Sequence, residues 1–137
     1  MIIKTYPYVM RRQEQGVRVL VFRHRDFPEA GVQVPGGTVE AGETLEAAIL
    51  REVFEESGLR GLRIVRYLGA LEYYAAERAQ WQLRHFFELE APQGCAQTWT
   101  HTEEDEALVF LYQWWPPERA EAELAGHLGT AIRLLAG

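Results

Sequence analysis

The sequence predicts an α/β domain with a mixed β-sheet. β-Branched and aromatic segments flank one long stretch with helical spacing, and clusters of Pro and Gly punctuate the boundaries between them. The chain has 137 residues, 47% of them apolar, which suits one hydrophobic core and leaves little for a second. No repeat, low-complexity tract or Ser/Gly linker divides it, so residues 1–137 are expected to form a single domain.

The elements follow in order. Residues 18–22 read Arg-Val-Leu-Val-Phe, a buried-strand composition, and the polar residues 11–16 suit a turn. An N-terminal hairpin of residues 5–10 with 17–23 is therefore predicted. Residues 26–30 form a loop around Pro28, and residues 32–34 a short strand cut off by Pro35, Gly36 and Gly37. Thr44 can cap a helix starting at Leu45, and Gly58 stands where a left-handed cap would end it. Further strands are predicted over residues 62–74, bent at Gly69, then 81–90 and 107–112. Pro116 and Pro117 end the strand region, and residues 118–124 and 127–135 read as helices parted near Gly126.

Composition narrows the function. A formal net charge of -6 argues against a general nucleic-acid binder, whose affinity comes from cations displacing counterions, so no stable nucleic-acid partner is expected. Cys95 is the single cysteine, which rules out an internal disulfide and a Cys-based zinc site; a cytoplasmic setting is the simplest expectation. Neither a signal peptide nor a membrane span is readable, so no membrane partner is expected.

The chemistry concentrates in the predicted helix. At about 100° per residue, Glu52, Glu55 and Glu56 share roughly one quarter of its circumference, while Ile49, Leu50, Val53 and Phe54 occupy the other side. Carboxylates at this spacing repel one another, and a cation relieves them. Mg2+ is the leading cofactor because it takes oxygen ligands and shares them with phosphate, and Mn2+ can replace it. Gly36 and Gly37 let backbone approach a ligand, Gly42 permits a tight turn, and Glu43 can reach Arg51.

The string Gly37, five residues, Glu43, seven residues, Arg51, Glu52, Val53, one residue, Glu55, Glu56, one residue, Gly58, Leu59 resembles a complete Nudix box. The chain is thereby similar to the Nudix hydrolase family of MutT-like proteins. That resemblance implies a Nudix-type α/β/α sandwich. It also implies that Glu52, Glu55, Glu56 and the Gly36 carbonyl ligate divalent metal, while Glu43 and Arg51 brace loop against helix.

The reaction implied is metal-dependent pyrophosphohydrolysis: water cleaves a phosphoric anhydride in a nucleoside diphosphate linked to a moiety X. A nucleoside triphosphate pyrophosphatase and a non-catalytic nucleotide-binding Nudix module are the alternatives. Glu52 is the first choice of general base, with Glu103, Glu104, Asp105 and Glu106 the rival source. Substrate-class markers past the box, a proline or a tyrosine in relatives acting on ADP-ribose or dinucleoside polyphosphates, are replaced here by Ala75 and Glu77. Candidate substrate contacts outside the box are His101, the aromatics Tyr73, Tyr74, Trp81, Phe86, Phe87, Trp114 and Trp115, and the arginines Arg23, Arg25 and Arg84. Trp114 and Trp115 are also candidates for a homodimer face.

Overall fold

A computed structural model describes residues 1–135; Ala136 and Gly137 lie outside the described residues. Seven strands form one mixed sheet. They are β1 (Ile2–Gln13), β2 (Gly16–His24), β3 (Gly37–Thr38), β4 (Arg63–Ala75), β5 (Gln80–Glu90), β6 (Trp99–Thr102) and β7 (Val109–Trp115), with helices α1 (Leu45–Ser57) and α2 (Pro117–Glu123). The strand order is β4-β5-β1-β2-β7-β6, with β3 beside the start of β1. The β1–β5 pair is parallel and the other named strand pairs are antiparallel.

Alternation along the central strands divides the interior in two. Val9, Leu20, Phe22, Phe87 and Leu89 point to one face, where Ile49 and Val53 of α1 cover them. Tyr8, Val19, Val21 and Phe86 point to the other, under Ala120 of α2 and under Leu128, Ala131 and Ile132. The result is the α/β/α sandwich. Shifting β1 by one residue would exchange the two sets, so both layers hold the register.

The details depart from the sequence expectations in five places. The hairpin strands extend further, leaving only Glu14 and Gln15 between them. Residues 32–34 contribute only a single bridge, Gln33 to Phe22, and the short strand lies instead at Gly37–Thr38. There β1 offers a free edge to Lys4 and Thr5, and pairing with it outweighs the poor strand propensity of glycine. The last strand runs over Val109–Trp115 rather than 107–112, because Ala107 sits at a positive φ of 55° in the preceding turn. β6 was not foreseen, since Trp-Thr-His-Thr is too short to show a period. After α2 the chain makes 3-10 turns, Ala125–His127 and Thr130–Leu134, where an α-helix was expected; Gly126 and His127 both take positive φ there.

The bend expected at Gly69 is present as one of two register shifts between β4 and β5. Trp115 is buried in the core, and Trp114 is covered by the Arg11 guanidinium 4.3 Å from its ring centre. No helix among the described residues is long and apolar enough to cross a membrane.

Candidate active site

The site is assembled where β3 lies between β1 and helix α1. Thr44 caps α1 by accepting from the Ala47 amide at 3.0 Å, and Gly58 closes it at a left-handed φ of 79°. The buried face of α1 carries Ala48, Ile49 and Val53, whereas Leu50 and Phe54 remain exposed. The apolar face is thus narrower than expected, and Glu52 is rotated inward, to 9% exposure.

Arg51 ties the loop to the helix. Its Nε and Nη2 donate to the two carboxylate oxygens of Glu43 at 2.6 and 2.9 Å, a forked pair. Nη2 also donates to the Thr38 carbonyl at 3.1 Å, and Nη1 to Glu52 at 2.9 Å and Glu55 at 3.2 Å. Arg51 holds the Glu43 carboxyl well below its ordinary range, at about 2, and is itself raised in turn. Arg51 thus joins Glu43 and the Thr38 carbonyl, and Thr38 is a partner that the sequence does not reveal.

The acids divide their attention. Glu56 accepts from the Gly36 amide at 3.2 Å, and burial, reinforced by the charges of Glu52 and Glu103, pushes its carboxyl up to about 8. Glu52 lies under Gly37, where an added Cβ would stand 2.5 Å from its carboxylate; burial raises this group too. A larger residue there would have to push that carboxylate aside. Glu55 is half exposed and turned onto Arg51. Among the described residues no three His, Cys, Asp or Glu side chains converge into a finished metal cage.

The donor set nevertheless fits a hard cation. Glu52 and Glu56 are partly desolvated carboxylates, and neighbouring carboxylates raise the proton affinity of each, Glu55 that of Glu52 and Glu52 that of Glu56, a repulsion that a divalent ion would remove. The buried Thr5 hydroxyl, without a partner among the described residues, lies on β1 beside Gly37. One rotation of Glu55 away from Arg51 is required to add it to the set.

The remaining candidates separate. His101 bonds the Glu55 carbonyl through Nε2 at 2.9 Å, and Glu103 accepts from the amides of Asp105 and Glu106 within its own turn. Arg25 pairs with Asp26 at the surface. Phe86 and Phe87 are core residues. Arg84, by contrast, is buried, stacks on Tyr73 and stands beside Lys4 on β1. A cavity of about 610 Å3 lined by Arg11, Arg63, Glu90 and Pro92 lies at the other end of β1, away from the carboxylates.

Two sheet-covering layers and a glycine-bearing loop braced over an acidic helix define an α/β/α sandwich with a loop–helix carboxylate site. The family model of the NUDIX domain matches residues 6–135. The chain therefore belongs to the Nudix family. An ADP-ribose pyrophosphatase from Methanocaldococcus jannaschii is 43% identical over 47 residues, covering 34% of this chain and 28% of that protein. An NAD-capped RNA hydrolase NudC from Haemophilus influenzae is 36% identical over 67 residues, covering 47% and 25%. The matches thus span about a quarter of the length of these curated relatives. Among solved structures, a Caenorhabditis elegans Ap4A hydrolase complex superposes with a TM-score of 0.76 at 17% identity, covering 98% of this chain and 94% of that one. A MutT Nudix hydrolase from Burkholderia pseudomallei gives 0.69 at 19% identity, covering 98% of both chains. These likenesses show the fold.

Proposed function

We propose that this enzyme hydrolyses a phosphoric anhydride in a nucleoside diphosphate linked to a moiety X, with Mg2+ as cofactor and Mn2+ as a substitute. The carrying observation is that buried Glu52 and half-buried Glu56 lie against the Gly36–Gly37 backbone, with Arg51 fastening that loop to α1. Residues 1–137 are proposed to act as one catalytic domain.

Glu52, Glu55, Glu56 and the Gly36 carbonyl would hold the metal, which when bound neutralises anhydride oxygens and makes water a better nucleophile. Glu43 and Arg51 keep the loop seated, so that the Glu52 and Glu56 carboxylates face the same space before substrate arrives. Glu52 is the proposed base: its raised carboxyl is suited to taking a proton from water as the new O–P bond forms and the anhydride P–O bond breaks. The leaving phosphate departs with that bonding pair. Glu103 is less suited, because its carboxylate is engaged by the amides of its own turn.

The test is a panel of nucleoside diphosphate sugars, dinucleoside polyphosphates and nucleoside triphosphates with Mg2+, read by product identity in water labelled with heavy oxygen. Glu52→Gln and Glu56→Gln are expected to lower turnover by at least about a hundredfold. Mg2+ is also expected to raise the melting temperature of the wild type and not that of Glu56→Gln. Unchanged turnover in both variants would remove the proposed site. Tight nucleotide binding with no turnover across the panel would favour a binding module.

A further inference from the structure

Among the described residues, Glu52 and Arg84 are the two charged side chains that are buried, and they are treated differently. Glu52 has Arg51 against it. Arg84, 7% exposed, forms no salt bridge with any described residue. Its Nε donates to Gln82 Oε1 at 3.0 Å and its Nη1 to the Gly126 carbonyl at 2.6 Å, while Nη2 makes no hydrogen bond with a described residue. The guanidinium lies 3.6 Å from the centre of the Tyr73 ring and 5.2 Å from that of Tyr6. Two neutral acceptors and two aromatic faces offset only part of the cost of withdrawing a cation from water. What the group lacks is a negative charge.

Space for one is adjacent. Arg84 lines a cavity of about 440 Å3 together with Leu71, Tyr73, Phe86, His127 and Thr130, a volume in the range of small-molecule pockets; Glu72 also lines it but is exposed to solvent and forms no salt bridge with Arg84. The cavity also stands in register with the carboxylate site. Arg84 pairs with Lys4 across β5 and β1, and Lys4 pairs with Thr38 across β1 and β3. Two strand spacings, about 10 Å, therefore separate the Arg84 backbone from the loop above Glu52. Lys4 lies between the two: Arg78 and Arg84 repel its ammonium, and Glu52 and Glu56 attract it. Lys4 and Arg84 thus place positive charge between the acids and the cavity, which opens on the α2 side of the sheet.

We propose that the Arg84–Tyr73 cavity is a subsite for an anionic group, phosphate or carboxylate, borne on moiety X, and that the preferred substrates carry an acidic rather than a neutral X. This rests on the proposed reaction for its substrate context, but the binding step can be read without it. The anion would accept from Arg84 Nη2, while the Tyr73 ring and the Gly126 carbonyl fix the plane of the guanidinium.

The experiment uses the full chain in chelator, so that neither metal nor hydrolysis contributes. Binding of ribose 5-phosphate, glucuronate and uncharged glucose is measured by calorimetry at matched ionic strength. The wild type is expected to bind at least one of the two acidic probes and not glucose, and the stronger of the two tells phosphate from carboxylate. Arg84→Gln should weaken that binding at least about tenfold, Arg84→Lys should restore part of it, and the surface control Arg66→Gln, at an exposed residue paired with Glu88, should leave it intact. If Arg84→Gln does not fold, Arg84→Lys is compared directly with the wild type, and equal affinity counts against the subsite. Absence of acid-selective binding in the wild type, or its persistence in Arg84→Gln, would overturn the proposal. Failure of the hydrolysis panel with retained acid-selective binding would instead remove the proposed reaction and leave the subsite standing.

Discussion

Arg51 is one cation serving several acceptors, and its strongest link, the forked pair with Glu43, sets a pH dependence. Because the folded-state carboxyl of Glu43 titrates at about 2, below its ordinary value of 4.5, its contribution to stability is fully present above about 4.5. It is lost as pH falls toward 2. Glu43→Gln should therefore lower the melting temperature at pH 7, and the gap from wild type should close between about pH 4.5 and pH 2. A gap independent of pH would place the effect in packing rather than in the ion pair. The Glu43–Arg51 brace was legible from the spacing, since both residues fall in one highly specific string. Lys4 and Thr38 were not legible as neighbours of the site, and Arg84 stood only as one of three candidate arginines, because strand register, invisible in a linear reading, brings them to it.

At the scale of elements, α1 shows how local signals and packing share control. The cap residues at both ends were readable, and the Thr44 hydroxyl bond to Ala47 is local chemistry. Thr44→Ala should cost about 1 kcal/mol, a melting shift of about 4 °C. Turnover at low temperature should stay near wild type, since the cap lies outside the carboxylate set. Periodicity alone assigned Leu50 and Phe54 to the packed side, but Ile49 and Val53 carry the packing, Leu50 and Phe54 are exposed, and the Gly37 backbone covers Glu52. β6 and the 3-10 turns escaped for a related reason: each is too short for a period, and each is held by contacts with distant strands, such as Trp99 stacked on Tyr112 at 4.9 Å.

At the scale of the molecule, two apolar layers share one sheet, and few polar bonds tie the outer layers to it. Tyr8 is one such tie: its buried hydroxyl donates to the Leu128 carbonyl at 2.5 Å, fastening the chain after α2 to the centre of the sheet. Tyr8→Phe should cost about 1–3 kcal/mol by urea denaturation, because the carbonyl loses its donor in a dry interior. The layered architecture could be read from alternating strands around a central helix. The strand order could not, since no local pattern states that β1 runs parallel to β5.

That parallel pairing has a consequence during synthesis on the ribosome. β1 emerges well before its parallel partner at Gln82 to Glu90, while its other neighbour, β2, follows at once. Until then a nascent hairpin carries apolar side chains on both faces and an open edge at its middle, so chains truncated before residue 80 should be prone to aggregation and rescued by holdase chaperones.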